Sequence, residues 1–291
     1  MTSLRSLATL AVSVSRVRFW IYTGGTYVVG YALGMESWLA FFRPEYTLYL
    51  IYFFFPANVF IYGVNDYWDR ETDQLNARKD EQEHRLADGE RTNLKTVLVA
   101  AGGLSVFLLF FQDTGARLIF CAFLALAYFY SAPPLRFKQI PFLDFSSNML
   151  YIMPGIFGFY LASGVFPPLL FVAAGFFHIA AMHLFSAIPD IACDREAGIT
   201  TTAVLLGRNA SLLLCVLFWT ALSVVVIHSA GYFPLSYLVL LFPAVPLALL
   251  LSPALRIEEV YRYLPLLNTA LGGLTFVVLF LVAFTWPAVV P

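Results

Sequence analysis

From Phe145 to Pro189 the chain runs 45 residues without Asp, Glu, Lys or Arg, and Asn209–Leu255 (47 residues) and Tyr263–Pro291 (29 residues) repeat the feature. A water-soluble fold cannot cover that much apolar sequence. Ordinary soluble domains are about 25% charged, against 12% of these 291 residues, 60% of which are apolar. A mean hydropathy of +0.78 equally excludes a disordered chain or a secreted disulfide scaffold. The class that remains is an all-α polytopic membrane protein.

A bilayer core about 30 Å thick takes roughly 20 apolar residues per helix. Nine segments qualify: about Arg18–Gly34, Tyr46–Val64, Leu94–Phe111, Arg117–Tyr130, Phe145–Leu161, Leu169–Ile188, Ala210–Ile227, Tyr232–Leu251 and Tyr263–Phe284. Arg5, Arg16 and Arg18 precede the first, and no small-residue cleavage site follows it, so it reads as a retained helix. With the N-terminus in the cytoplasm, 15 of the 17 cations fall inside, leaving Arg43 and Arg117 outside. Cytoplasmic loops carry the Lys and Arg excess in membrane proteins, so this orientation is expected, with the C-terminus outside. A net charge of −1 offers no global basic field to nucleic acid. Cys121, Cys193 and Cys215 are odd in number and far apart, and read as unpaired thiols.

The inner ends of two spans carry carboxylates in helical register. Asn65, Asp69 and Asp73, at i, i+4 and i+8, form a slowly drifting stripe on one helix face, flanked by Asp66. Asp190 and Asp194 repeat the i, i+4 spacing after the sixth span. A single pair of this kind is most often a solvated helix end facing Arg70, Arg78 or Arg195. Two pairs four spans apart instead fit two four-helix repeats followed by a ninth helix. Ser131-Ala132-Pro133-Pro134-Leu135-Arg136 and Ser252-Pro253-Ala254-Leu255-Arg256 echo that repeat. Converging carboxylates repel, and an Asp at mid-membrane costs about 2.5–3.5 kcal/mol. A divalent cation removes both penalties. Oxygen donors without Cys or paired His suit Mg2+, which bridges carboxylates to phosphate oxygens, so a phosphorylated ligand is expected.

A diphosphate also needs cations to neutralise its oxygens. Each of Arg78, Lys79, Arg136, Lys138 and Arg195 alone reads first as a topology-setting charge, and it is their placement in the same inner loops as the acids that points to the diphosphate. Gly198, Thr201 and Gly207 read as turn-formers. His178 and His183 lie on the sixth span, His183 in line with Asp190 and about 10 Å deeper. Helix–helix hydrogen bonding and cavity lining are both open to them. The 29 Phe and 16 Tyr supply ring faces suited to a carbocation.

Asn65-Asp66-xx-Asp69-xxx-Asp73 with Asp190-xxx-Asp194 resembles the UbiA superfamily of intramembrane prenyltransferases, over nearly the whole chain. Tyr62-Gly63-Val64-Asn65-Asp66, Asn76-Ala77-Arg78-Lys79, the stretch from Tyr130 through Pro133-Pro134 to Lys138, and Phe142-Leu143-Asp144 are similar to the lycopene elongases that make C50 carotenoids. The resemblance implies one transmembrane prenyltransferase domain over residues 1–291, with nine helices and catalytic cytoplasmic loops at about 65–93, 131–144 and 189–209. It implies that Asn65, Asp69, Asp73, Asp190 and Asp194, with Asp66 beside them, hold Mg2+ on an isoprenyl diphosphate. Lys79, Arg136 and Lys138 would lie near the phosphates. The reaction implied is transfer of a dimethylallyl group from its diphosphate to the ends of lycopene, in a bacterial or archaeal cell membrane. One stretch departs from the pattern: many quinone-pathway members carry Arg-Pro-Leu-Ala-x-Gly where this chain has His84-Arg85-Leu86-Ala87-Asp88-Gly89, which weakens an aromatic acceptor. The alternatives are an aromatic or lipid acceptor and, in another class, a divalent-cation carrier using the same acids.

Overall fold

The computed structural model describes residues 4–69, 88–252 and 254–285. Asp73, Arg78, Lys79, His84 and Arg85 lie outside them. Among the described residues every expected apolar segment is helical and there is no strand. Five stretches are long and apolar enough to cross a bilayer: Pro44–Trp68, Arg91–Leu109, Leu169–Glu196, Thr202–Ser229 and Pro234–Leu251. Among the described residues, then, five stretches and not nine meet that length. Thr114–Phe129 is short, the first segment opens on a π-helical stretch at Ile21–Gly25, and the fifth is broken by 3-10 turns at Ser147–Tyr151.

The chain divides into two compact units. The first holds Met1–Phe137 and Leu150–Phe166. It begins with an element the apolar pattern did not disclose, α1 (Leu4–Val14), an amphipathic helix that buries Leu10 and Val14. Its Leu7 and Ala11 pack on Val59, Val97 and Ala101. Then come α2 (Thr26–Gly34), α3 (Pro44–Phe54), α4 (Pro56–Trp68), α5 (Arg91–Leu109), α6 (Thr114–Phe129) and α7 (Met153–Ser163). Pro56 has no N–H to give, and Phe55 leaves the helical region (φ −121, ψ −68), so α3 and α4 form one bent stretch. Asn58 answers the bend: its Nδ2 donates to the carbonyls of Phe53 (2.9 Å) and Phe54 (2.9 Å) and to Thr23 Oγ1 (2.7 Å). Backbone acceptors that lipid cannot satisfy are thus met within the protein.

α2 and α7 approach backbone to backbone. A Cβ on Gly158 would lie 2.5 Å from the Tyr27 carbonyl oxygen, one on Gly34 2.6 Å from that of Phe159, and one on Gly30 would overlap the Gly155 carbonyl. Small residues permit such crossings where no hydrophobic force separates helix from lipid. Gly30→Ala is expected to cost ~3 kcal/mol, at the upper end of overpacking, because the obstacle is backbone and cannot rotate away. Thermal melting of the detergent-solubilised protein checks this; an unchanged midpoint contradicts the crossing.

The second unit holds Lys138–Met149 and Pro167–Pro291. After a helical turn at Leu143–Ser146 it contains α8 (Leu169–Ala187), α9 (Ile191–Glu196), α10 (Thr202–Ser229), α11 (Leu241–Leu251) and α12 (Ile257–Thr285). Phe185, Trp219 and Phe242 centre its core. Trp219 Nε1 donates to His178 Nδ1 (3.3 Å), so the ring proton sits on Nε2 and is given to Asn268 Oδ1 (2.7 Å). His178 therefore joins α8, α10 and α12, the first of its two readings. The three cysteines are free thiols.

Candidate functional site

In the first unit, α4 carries its apolar face to its C-terminal end, where Asn65 and Asp66 occupy the last turn and Asp69 caps it. Asp69 is only 2% exposed. Asn65 Nδ2 donates to Ser131 Oγ at 2.9 Å, which leaves the amide oxygen as the atom available to a cation and ties the first acidic motif to the Ser131–Lys138 loop. Ser131 is itself buried. Along that loop Arg136 takes φ 44, a left-handed conformation that costs a non-glycine residue ~1–3 kcal/mol. Its buried Nε has no hydrogen-bond partner among the described residues. A buried guanidinium N–H without an acceptor is costly unless an anion supplies one.

Asp66, expected among the ligands, is engaged differently. Its Oδ1 accepts from Arg16 Nη2 at 2.6 Å, in a pair whose side chains are 4% and 10% exposed. Arg16 also lies 4.8 Å over the Tyr62 ring. With one oxygen committed, Asp66 serves to hold Arg16 and the start of the chain against α4.

In the second unit, Asp190 closes a 3-10 turn and Asp194 lies one turn on, in α9. The charged groups acting on Asp194 are Asp190, Lys138 and Asp144, and Thr201 hydrogen-bonds to it. Lys138 is thereby brought to the second acidic motif. Arg195, expected there too, is exposed and lines a separate cavity with Arg208 and Arg256.

Asp144 is the residue that motif reading passed over as chemistry. It is fully buried, and its carboxylate ties two loops together. Oδ2 accepts from the Thr202 N–H (2.7 Å), and Oδ1 accepts from the Thr202 hydroxyl (2.5 Å) and the Phe145 N–H (2.9 Å). Phe142 N–H in turn donates to Thr202 Oγ1 at 2.6 Å. An anion at the first turn of α10 also suits the helix dipole. The loop carrying Lys138 is thus fastened to the turn that follows Asp190 and Asp194. In the sequence Asp144 stood out only as the end of the Phe142-Leu143-Asp144 string and as the last charge before the 45-residue uncharged run that starts at Phe145.

The donors gathered at the two helix ends are carboxylate and amide oxygens, the chemistry of a hard divalent cation rather than of zinc or copper. Among the described residues no three His, Cys, Asp or Glu side chains form a metal-sized cluster; Asp73, the third residue of the first stripe, is not one of them.

The sequence profile of the UbiA prenyltransferase family matches residues 23–262. A protein of Haloferax volcanii named lycopene elongase/hydratase is 41% identical over 269 residues, covering 92% of this chain and 87% of its own. Its Haloarcula japonica namesake is 38% identical, covering 89% of this chain and 87% of its own. Among solved structures, a UbiA homologue from Archaeoglobus fulgidus bound to GPP and Mg2+ shares the fold with TM-score 0.71 at 21% identity, over 92% of this chain and 96% of that one.

Proposed function

Since the chain belongs to the UbiA prenyltransferase family, an integral-membrane family of prenyl-transferring enzymes, we propose that it moves a dimethylallyl group from its diphosphate onto the ends of lycopene. The observation that carries the acceptor is the 38–41% identity, over about nine-tenths of the chain, to two proteins named lycopene elongase/hydratase. The two acidic helix ends support the donor. In this reading Asn65, Asp69 and Asp73 in the first motif, and Asp190 and Asp194 in the second, hold Mg2+ on the diphosphate. The metal supplies charge neutralisation on the leaving oxygens. Asp66 flanks the first motif with Oδ1 committed to Arg16, and Arg195, beside Asp194, lines the neighbouring cavity.

The chain's own groups do the rest. Arg136, whose buried Nε lacks an acceptor among the described residues, and Lys138 stabilise the departing diphosphate, with Arg78 and Lys79 from the adjoining loop. The allylic C–O bond breaks and diphosphate leaves with the electron pair. The terminal alkene of lycopene attacks the allylic cation, forming the new C–C bond. The resulting tertiary cation then loses a proton or captures water. Apolar helix walls keep bulk water from the first cation. The cation-rich loops set the N-terminus and both acidic motifs at the cytoplasmic face, and a carotenoid as long as the bilayer is thick enters sideways from the lipid.

Membranes containing the protein, given dimethylallyl diphosphate and lycopene, are expected to release diphosphate only while Mg2+ is present. Chelation should stop release and Mg2+ should restore it. Metal uptake into vesicles without diphosphate release would instead identify a cation carrier.

A further inference from the structure

The second unit contains a cavity of about 590 Å³ bounded by the 3-10 turn after α8, one face of α9, the bend of α10 and the start of α12. Arg195, Arg208, Arg256 and Glu258 line it over an apolar floor that includes Ile188 and Ile191. Taking 100° per residue, the α9 lining residues Ile191, Ala192 and Arg195 centre on a direction roughly 130° from the mean direction of Asp194 and the preceding Asp190. The cavity is therefore distinct from the face of the second acidic motif. The bend that opens it lies at Gly207, whose φ of 75 and ψ of 173 belong to glycine alone.

Three guanidiniums face one carboxylate, so the lining carries excess positive charge. Among the described residues, Arg195 and Arg208 have no carboxylate partner. Arg208 Nη2 donates to the Leu249 carbonyl and Nη1 to Asn209 Oδ1, each at 3.1 Å, contacts that orient the guanidinium without neutralising it. Arg256 reaches Glu258 at 3.9 Å and Glu259 at 3.8 Å, exposed and at the outer limit of pairing, where such contacts contribute little. Forked donors around a partly apolar floor, at the inner ends of membrane helices, match a phosphate group attached to a lipid.

We propose that this cavity is a binding site for a phosphate-bearing anion, separate from the catalytic diphosphate and independent of the prenyl-transfer reading. Its test needs no substrate. The whole protein is reconstituted with phosphatidylglycerol or with phosphatidylcholine, and a third sample receives millimolar inorganic phosphate. Retained lipid is counted by native mass spectrometry and the melting midpoint is recorded. Saturable retention of phosphatidylglycerol, reduced at least about tenfold by Arg256→Gln, identifies a lipid headgroup site. A phosphate-dependent rise in midpoint, equal in both lipids and lost in Arg256→Gln, identifies a free-phosphate site. Arg256 is 70% exposed at its side chain, so this variant folds, and Arg208→Lys, which keeps charge but loses the fork, should weaken binding in the same direction. Equal retention of both lipids with no phosphate response, or binding unchanged in both variants, overturns the proposal.

Discussion

Asp69→Ala is expected to lower turnover about a thousandfold while the protein still inserts and melts normally. Asp69 caps the C-terminal end of α4 and is almost wholly buried. Its removal takes away a charge from a site whose catalysis is electrostatic, where a single donor to a developing charge is typically worth 10²–10³ in rate. The loss should fall on kcat, and on the Mg2+ concentration needed for half-maximal rate. Asp69→Asn keeps the shape and one oxygen donor, so it should recover part of the metal affinity and little of the rate. Rates of diphosphate release over a Mg2+ titration, with far-ultraviolet circular dichroism as the folding control, decide the point. Full turnover in Asp69→Ala would remove the first motif from the chemistry.

The second large effect is expected at Asp144, which touches no substrate in this reading and acts as a positioning residue. Asp144→Ala strips acceptors from the Thr202 N–H, the Thr202 hydroxyl and the Phe145 N–H at once. A buried donor left without its acceptor costs about 1–3 kcal/mol, and part of the set can find new partners, so a loss of ~3 kcal/mol in stability is expected. Because the carboxylate fastens the Lys138 loop to the turn after Asp194, turnover should also fall about 10–100-fold, the usual consequence of losing a group that orients metal ligands. A purely structural role would reduce the amount of folded enzyme without changing the Mg2+ half-saturation of what remains. The positioning role predicts a higher half-saturation, partly rescued by Asp144→Asn.

The apolar segments and the i, i+4 acids were legible because both are local: burial in lipid marks every residue of a span, and helical periodicity places Asn65 with Asp69 and Asp190 with Asp194. Four features were not. The Arg16–Asp66 pair joins residues 50 apart and the Asp144–Thr202 clasp residues 58 apart, and no pattern within one helix encodes a partner on another. α1 was hidden because its apolar stripe is too short to read as a span. The breaks within spans were visible only as scattered Pro and Gly, whose effect depends on whether a side chain such as Asn58 is placed to satisfy the freed carbonyls. Arg195 illustrates the converse: adjacency to Asp194 in sequence suggested a shared site, yet neighbours on a helix point to different faces.

Acceptor identity is the centre of the proposed function, and product mass tests it most directly. Expressed in a cell that makes lycopene, the chain is expected to convert it into C45 and C50 carotenoids, with or without added water, and an Asp190→Ala variant should leave lycopene untouched. Lycopene unchanged by the intact protein, in membranes where a hydroxybenzoate or a glyceryl phosphate does become prenylated, would contradict it.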